Sequence, residues 1–107
     1  MRVKEGVTLD GLKPGIRTAL PLMEKVFEGN DVVMVVTSTT DDVEGRVGTA
    51  HTEGRAVDLR AHQINPYLLA FMRDQLRKAL GLSYKVVVEM HWPGILRVHF
   101  HVEFIAG

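Results

Sequence analysis

The segment Val98-His99-Phe100-His101-Val102-Glu103-Phe104 alternates strictly between apolar and polar residues. Successive side chains of a strand point to opposite faces, so Val98, Phe100, Val102 and Phe104 share one face while His99, His101 and Glu103 share the other. Two imidazoles and a carboxylate are thereby set side by side above a buried sheet. A second cluster lies upstream, in His51-Thr52-Glu53-Gly54-Arg55-Ala56-Val57-Asp58-Leu59-Arg60. Gly54 permits a sharp turn between loop and strand, which folds His51 back beside Asp58. Val57 and Leu59 alternate into the core and leave Ala56, Asp58 and Arg60 on the opposite face. Two histidines and an aspartate form a sound ligand set for a catalytic Zn2+, with a fourth position left for water. Spacing leaves two alternatives open: either His99 or His101 is the ligand, and the histidines are either ligands or only the solvated face of a strand. His62, ahead of a helix, and His91, in a turn beside Trp92, are expected to be bystanders. Glu103 is either a partner that orients a ligand histidine or an exposed strand residue.

The string from His51 to Asp58 resembles the Ser-x-His-x-x-Gly-x-Ala-x-Asp signature of the M15 family of zinc D,D-peptidases, and is closer still to the matching stretch of the hedgehog signalling domains. Glu89 followed by His99-x-His101 resembles the second motif of the same group, and small phage-encoded members with both elements look especially similar. The resemblance covers about residues 32 to 104. It implies that His51, Asp58 and His101 bind zinc, that Glu89 is the general base, and that His99 hydrogen-bonds the oxyanion beside the metal. It also implies a substrate, the peptides of bacterial peptidoglycan, cut by a D,D-carboxypeptidase or an endopeptidase. Two positions depart from the family pattern. Thr49 stands where the family has serine and keeps the hydroxyl. The family's arginine after the first core strand is replaced by Thr39-Thr40-Asp41-Asp42, so a bidentate grip on a substrate carboxylate falls to Arg46, the nearest, or to Arg55 or Arg60. Arg46, Thr49 and Arg55 are the expected substrate-binding residues. The hedgehog likeness allows a rival, a non-catalytic zinc module of a phage particle in which the metal stabilises the fold and the groove binds a partner. Glu89 discriminates: turned toward the metal it favours the enzyme, turned away the module.

A few elements must position these groups. Ile16, Ala19, Leu20, Met23, Val26 and Phe27 recur at intervals of three and four, which predicts an amphipathic helix from Leu12 to Phe27 ended by Gly29-Asn30. Pro21 falls inside it and is expected to kink the helix or mark its true start. Val32 to Thr37 is continuously apolar and largely β-branched, which predicts a strand buried on both faces at the centre of a sheet. Ser38 to Thr49, polar and containing Gly45 and Gly48, reads as a long loop. Ala56 to Arg60 reads as a strand. Asn65-Pro66 opens a helix to Leu80 with Tyr67, Leu68, Phe71, Met72, Leu76 and Leu80 facing inward and Gly81 as its stop. Tyr84 to Met90 and Leu96 to Phe104 form a hairpin about Trp92-Pro93-Gly94, which brings Glu89 near His99. The prediction is an α+β fold, two or three helices packed on a mostly antiparallel sheet, as in the hedgehog and D,D-peptidase domains.

A single domain accommodates all 107 residues. Thirteen basic and thirteen acidic side chains cancel, so no overall field favours nucleic acid or an anionic membrane. Without cysteine there is neither a disulfide nor a thiolate site, and any metal must use nitrogen and oxygen ligands. Met1 to Asp10 has no apolar signal-peptide core, and no stretch approaches the length of a membrane span. The expectation is therefore a monomer made in the cytoplasm without a signal peptide. By analogy with phage lysis enzymes, it would act on the cell wall after release.

Overall fold

The computed structural model describes residues 1–40, 49–90 and 98–105. Its elements run β1 (Arg2–Val3), α1 (Pro14–Gly29), β2 (Val35–Ser38), β3 (Ala56–Arg60), α2 (Pro66–Leu80), β4 (Tyr84–Met90) and β5 (Val98–Phe104). The strands form one sheet in the order β1-β2-β3-β5-β4. β1 is parallel to β2 and all other neighbours are antiparallel. The two helices pack on each other and against β4 and β5, so the fold is α+β, as the sequence leads one to expect.

Alternation decides which face of the sheet the helices cover. Val36, Val57, Leu59, Phe100 and Val102 join Ile16, Met23 and Phe27 of α1 and Met72 and Leu76 of α2 in one buried cluster. Phe27 meets Phe100 edge-on, with ring centroids 5.9 Å apart. Gly15 lets α1 approach β5 closely, since a Cβ there would meet the Phe104 ring at 2.7 Å. The Tyr84 hydroxyl donates to the Gly15 carbonyl at 2.7 Å from the neighbouring strand. The large apolar residues Val36, Val57, Leu59, Phe100 and Val102 are thus committed to one side. Their polar neighbours are left on the other.

Several local expectations need correction. Pro21 does not mark the start of α1, which runs through it from Pro14 to Gly29. It lies on the exposed side, where water can satisfy the carbonyl its missing N–H leaves free, while five buried side chains hold the helix on the core. The apolar run from Val32 enters the sheet only at Val35, and burial then alternates, so β2 is covered on one face and not on both. The centre of the sheet is β3, whose first four residues are buried. On α2, capped by Asn65 accepting from Leu68 N–H at 2.9 Å, Met72, Leu76 and Leu80 are buried. Tyr67 and Phe71 are 90% and 56% exposed. At about 100° per residue they fall beside the stripe that Leu68, Met72 and Leu76 occupy. β4 and β5 pair as the expected hairpin, but Trp92-Pro93-Gly94, Leu96 and His91 lie outside the described residues, as do Gly45, Arg46 and Gly48. No helix among the described residues is long and apolar enough to cross a membrane.

Candidate metal centre

His51 is delivered by a compact turn. Backbone bonds from Glu53 to Thr49, Gly54 to His51 and Arg55 to Ala50 close it. Thr49 and Thr52 clinch its base, the Thr49 N–H donating to Thr52 Oγ1 at 3.0 Å and the Thr52 hydroxyl to the Thr49 carbonyl at 3.0 Å. Gly54 has φ +77°, and a Cβ there would run into the Gly11 carbonyl oxygen. Both the left-handed conformation and the close approach require glycine. The chain then enters β3, where Asp58 stands opposite His101 and Arg60 opposite His99. Across the other edge of β5, Glu89 stands opposite His99. The register therefore brings His51, Asp58, Glu89, His99 and His101 together on the open face.

His51, Asp58 and His101 are 5%, 4% and 9% exposed. His101 Nδ1 lies 3.0 Å from Asp58 Oδ1 and its Nε2 3.0 Å from Glu103 Oε1. His51 Nδ1 lies 2.9 Å from the Thr39 carbonyl. His51 Nε2 lies 3.2 Å from Asp58 Oδ1, yet among the described residues it is buried without a well-aligned hydrogen bond. Beside them, His99 Nε2 is 2.8 Å from Glu89 Oε1 and 3.6 Å from Asp58 Oδ2.

These contacts set the protons. A carbonyl oxygen only accepts, so His51 Nδ1 carries a hydrogen and Nε2 is the nitrogen turned toward Asp58. Glu103 likewise takes the N–H of His101 Nε2, leaving the Nδ1 lone pair aimed at the same Asp58 oxygen. Two ring nitrogens and a carboxylate oxygen then converge, an arrangement that a shared cation stabilises. In the metal-free protein that cation is a proton. The hydrogen bond to Asp58 outweighs burial and, with Glu103 and Glu89 nearby, raises His101 to about 9. Burial alone would raise the Asp58 carboxyl, but the contacts of His101 and His51 and the charge of His99 hold it well below the usual carboxylate range. The buried His51 Nε2 and the two lone-pair partners fit a metal equally well, and His51, Asp58 and His101 could hold an ion. A His2Asp set leaves a coordination position open, the hallmark of catalytic sites.

The other expected residues fare unequally. Glu89 faces the cluster, 3.9 Å from His101 Nδ1. His99 has its Nε2 on Glu89. Arg55 is engaged elsewhere, with Nη1 donating to the Phe104 carbonyl at 2.9 Å and Nη2 to Glu53 Oε1 at 2.9 Å. Thr49 serves the turn that carries His51. Arg46 lies outside the described residues. Glu103, an open alternative from sequence, is the partner of His101. The role of Thr39 went unread because its backbone carbonyl, not its side chain, holds His51. Compared with family models, curated proteins and solved structures, the chain matches none of them.

Proposed function

We propose that this protein is a zinc-dependent peptidase acting on peptides of bacterial peptidoglycan. The observation that carries the reading is the placement of Glu89: its carboxylate turns toward the His51-Asp58-His101 cluster and is held by His99 at 2.8 Å. A non-catalytic module has no need of a second carboxylate aimed at the open side of a metal set. The borderline-soft ion that suits two imidazoles and one carboxylate in an open site is zinc. When bound there it supplies a Lewis acid that polarises a carbonyl and acidifies water. His51, Asp58 and His101 would hold it, with Thr39 and Glu103 fixing the two rings.

Glu89 does the proton work. Its carboxylate accepts one proton from the attacking water as oxygen bonds to the carbonyl carbon, then gives it to the nitrogen as the C–N bond breaks. The water's second proton stays with the new carboxyl group until it passes to the released amine, so the products are a carboxylate and an ammonium group. His99 donates through Nε2 to Glu89 and so orients the carboxylate. Its ring stands level with Glu89 and two residues from His101 on the same face of β5.

Digestion of purified peptidoglycan by zinc-loaded protein, with released fragments identified by mass spectrometry, tests the reading. Glu89→Gln should keep one zinc per chain and lose about 10²- to 10⁴-fold in rate. Turnover near the parent's would assign the base elsewhere, and absence of any released fragment from the parent would favour the structural module.

A further inference from the structure

Asp58 commits only one of its two oxygens to the His51-His101 pair. Oδ1 lies 3.2 Å from His51 Nε2 and 3.0 Å from His101 Nδ1, whereas Oδ2 lies 3.6 Å from His99 Nε2. Glu89 Oε1 is 2.8 Å from that same His99 nitrogen. Asp58, Glu89 and His99 thus bring one ligand atom each within 4.8 Å of one another, a second set of one imidazole and two carboxylates that could hold an ion. The sheet register builds it. Glu89 stands opposite His99 across β4 and β5, and Asp58 stands opposite His101, two residues further along the same face of β5.

The chemistry of this set suits a metal in its own right. A carboxylate offers two oxygens and about four lone-pair positions, so Asp58 can give Oδ1 to one ion and Oδ2 to another. Two-metal sites hold their ions about 3.5–4 Å apart, a span that one carboxylate can bridge. Donors around a tetrahedral zinc at about 2.0–2.2 Å lie roughly 3.3–3.6 Å from one another, and the 3.6 Å between His99 Nε2 and Asp58 Oδ2 already matches that spacing. The shorter 2.8 Å between His99 and Glu89 is a hydrogen bond, and an ion entering there replaces the proton that the two atoms share. The Glu89 side chain is 41% exposed, so this set can be reached from solvent. Arg60, opposite His99, and the first ion both add positive charge, which makes the second set the weaker.

We propose that Asp58 Oδ2, Glu89 and His99 form a second divalent-metal site, joined to the first through Asp58, and that zinc in excess fills it and shuts the reaction down. The site needs only these three residues, while the inhibition rests on the peptidase reading above. An ion on Glu89 takes the oxygen that must accept the proton of water and lowers the basicity of the whole carboxylate. An ion on His99 Nε2 removes the hydrogen that holds Glu89 in place. The same metal is therefore required at the first set and inhibitory at the second, and hydrolysis is confined to the range of free zinc between the two affinities.

The test titrates metal-free protein with zinc, reading binding by calorimetry and chelator competition and counting bound metal after equilibrium dialysis. The parent should take up two ions per chain, the second at least about tenfold more weakly than the first. His99→Ala should keep the tight ion and weaken the second at least about 100-fold, since a direct ligand contributes more than an outer partner does. Glu89→Gln should likewise hold one ion, and His62→Ala, which lines a separate cleft, should hold two. Cobalt in place of zinc should give two ions that couple magnetically through the shared carboxylate. Release of peptidoglycan fragments by the parent should peak at one zinc per chain and fall at least about tenfold as the second site fills, as loss of the general base predicts. A parent that stops at one ion, a second ion retained by both His99→Ala and Glu89→Gln, or two uncoupled cobalt ions overturns the site. A rate that holds or rises while the second site fills overturns the inhibition. If two ions bind in this pattern but no fragment is released, the site stands and the peptidase reading falls. If fragments are released and a second ion never binds, the peptidase reading stands and the site falls.

Discussion

Glu103 offers the sharpest probe of how the metal set is held. Its Oε1 accepts from His101 Nε2 at 3.0 Å, while the other nitrogen of that ring faces Asp58 Oδ1. Glu103 thus decides which nitrogen of His101 is available to an ion. Outer partners of ligand histidines typically contribute 10- to 100-fold in metal affinity, or about 1.4–2.7 kcal/mol. The Glu103 side chain is 21% exposed, so water can replace part of what it supplies, and the lower end applies. Glu103→Ala, which removes acceptor and charge, should weaken zinc binding about tenfold. Glu103→Gln, which keeps an acceptor, should weaken it only a few-fold. Competition against a chromophoric chelator measures both. Glu53→Gln is the control, since Glu53 pairs with Arg55 and does not touch His101, and its zinc affinity should be unchanged. If Glu103→Ala binds zinc within twofold of the parent, or Glu53→Gln loses as much, the hydrogen bond does not orient the ligand.

Two further outcomes follow from the same geometry. Gly54→Ala forces a side chain into φ +77° against the Gly11 carbonyl and should cost about 1–3 kcal/mol, lowering Tm by roughly 5–15 °C. Gly29→Ala, with nothing near its Cβ, should leave Tm within a few degrees, and equal losses would refute the argument. In metal-free protein, His101 is raised from its ordinary 6.5 to about 9. Its stabilising contribution is therefore complete below about pH 6.5 and lost as pH rises through about 9. Thermal melts in chelator should fall across that window, and a flat or rising Tm would show that His101 is not the proton carrier.

The parts of the site that were legible in the sequence are those fixed by period. Val98 to Phe104 had to alternate, and the apolar half of that alternation determined where His99, His101 and Glu103 would point. Gly54 announced the turn that returns His51 to Asp58. The strand order was not legible. β5 inserts between β3 and β4, which sets Asp58 against a residue 43 positions away, and no local spacing encodes that register. β1 is only two residues long, too short for any period, so nothing in the residue pattern marked it as the parallel edge of the sheet. Tyr67 and Phe71, apolar in type, point outward because their angular position on α2 falls beside the buried stripe. Leu68, Met72 and Leu76, spaced by four, already fill the face that α1 and β4 cover.

Asp58 explains why these residues must be assembled as they are. A carboxylate this deeply buried is costly unless it is paired, and among the described residues its close partners are the histidines. Each ring has an acceptor behind it, Thr39 for His51 and Glu103 for His101, so the nitrogen on its other side is the one that faces Asp58. The outer acceptors therefore do not relieve the buried charge; they make it dependent on a shared cation. A proton on His101 meets that need when metal is absent, and a metal ion meets it by taking the same lone pair. Proton and ion compete for one nitrogen, so zinc affinity should rise with pH until His101 has lost its proton. The same competition ties metal binding to folding, because the unfolded chain has no set of converged lone pairs to offer. A cluster that served only to stabilise the fold would gain by letting the outer acceptors go and bonding the rings directly to Asp58. Holding the rings in the metal-ready tautomer, with Glu89 waiting beside them, is an arrangement that favours an ion with an open side.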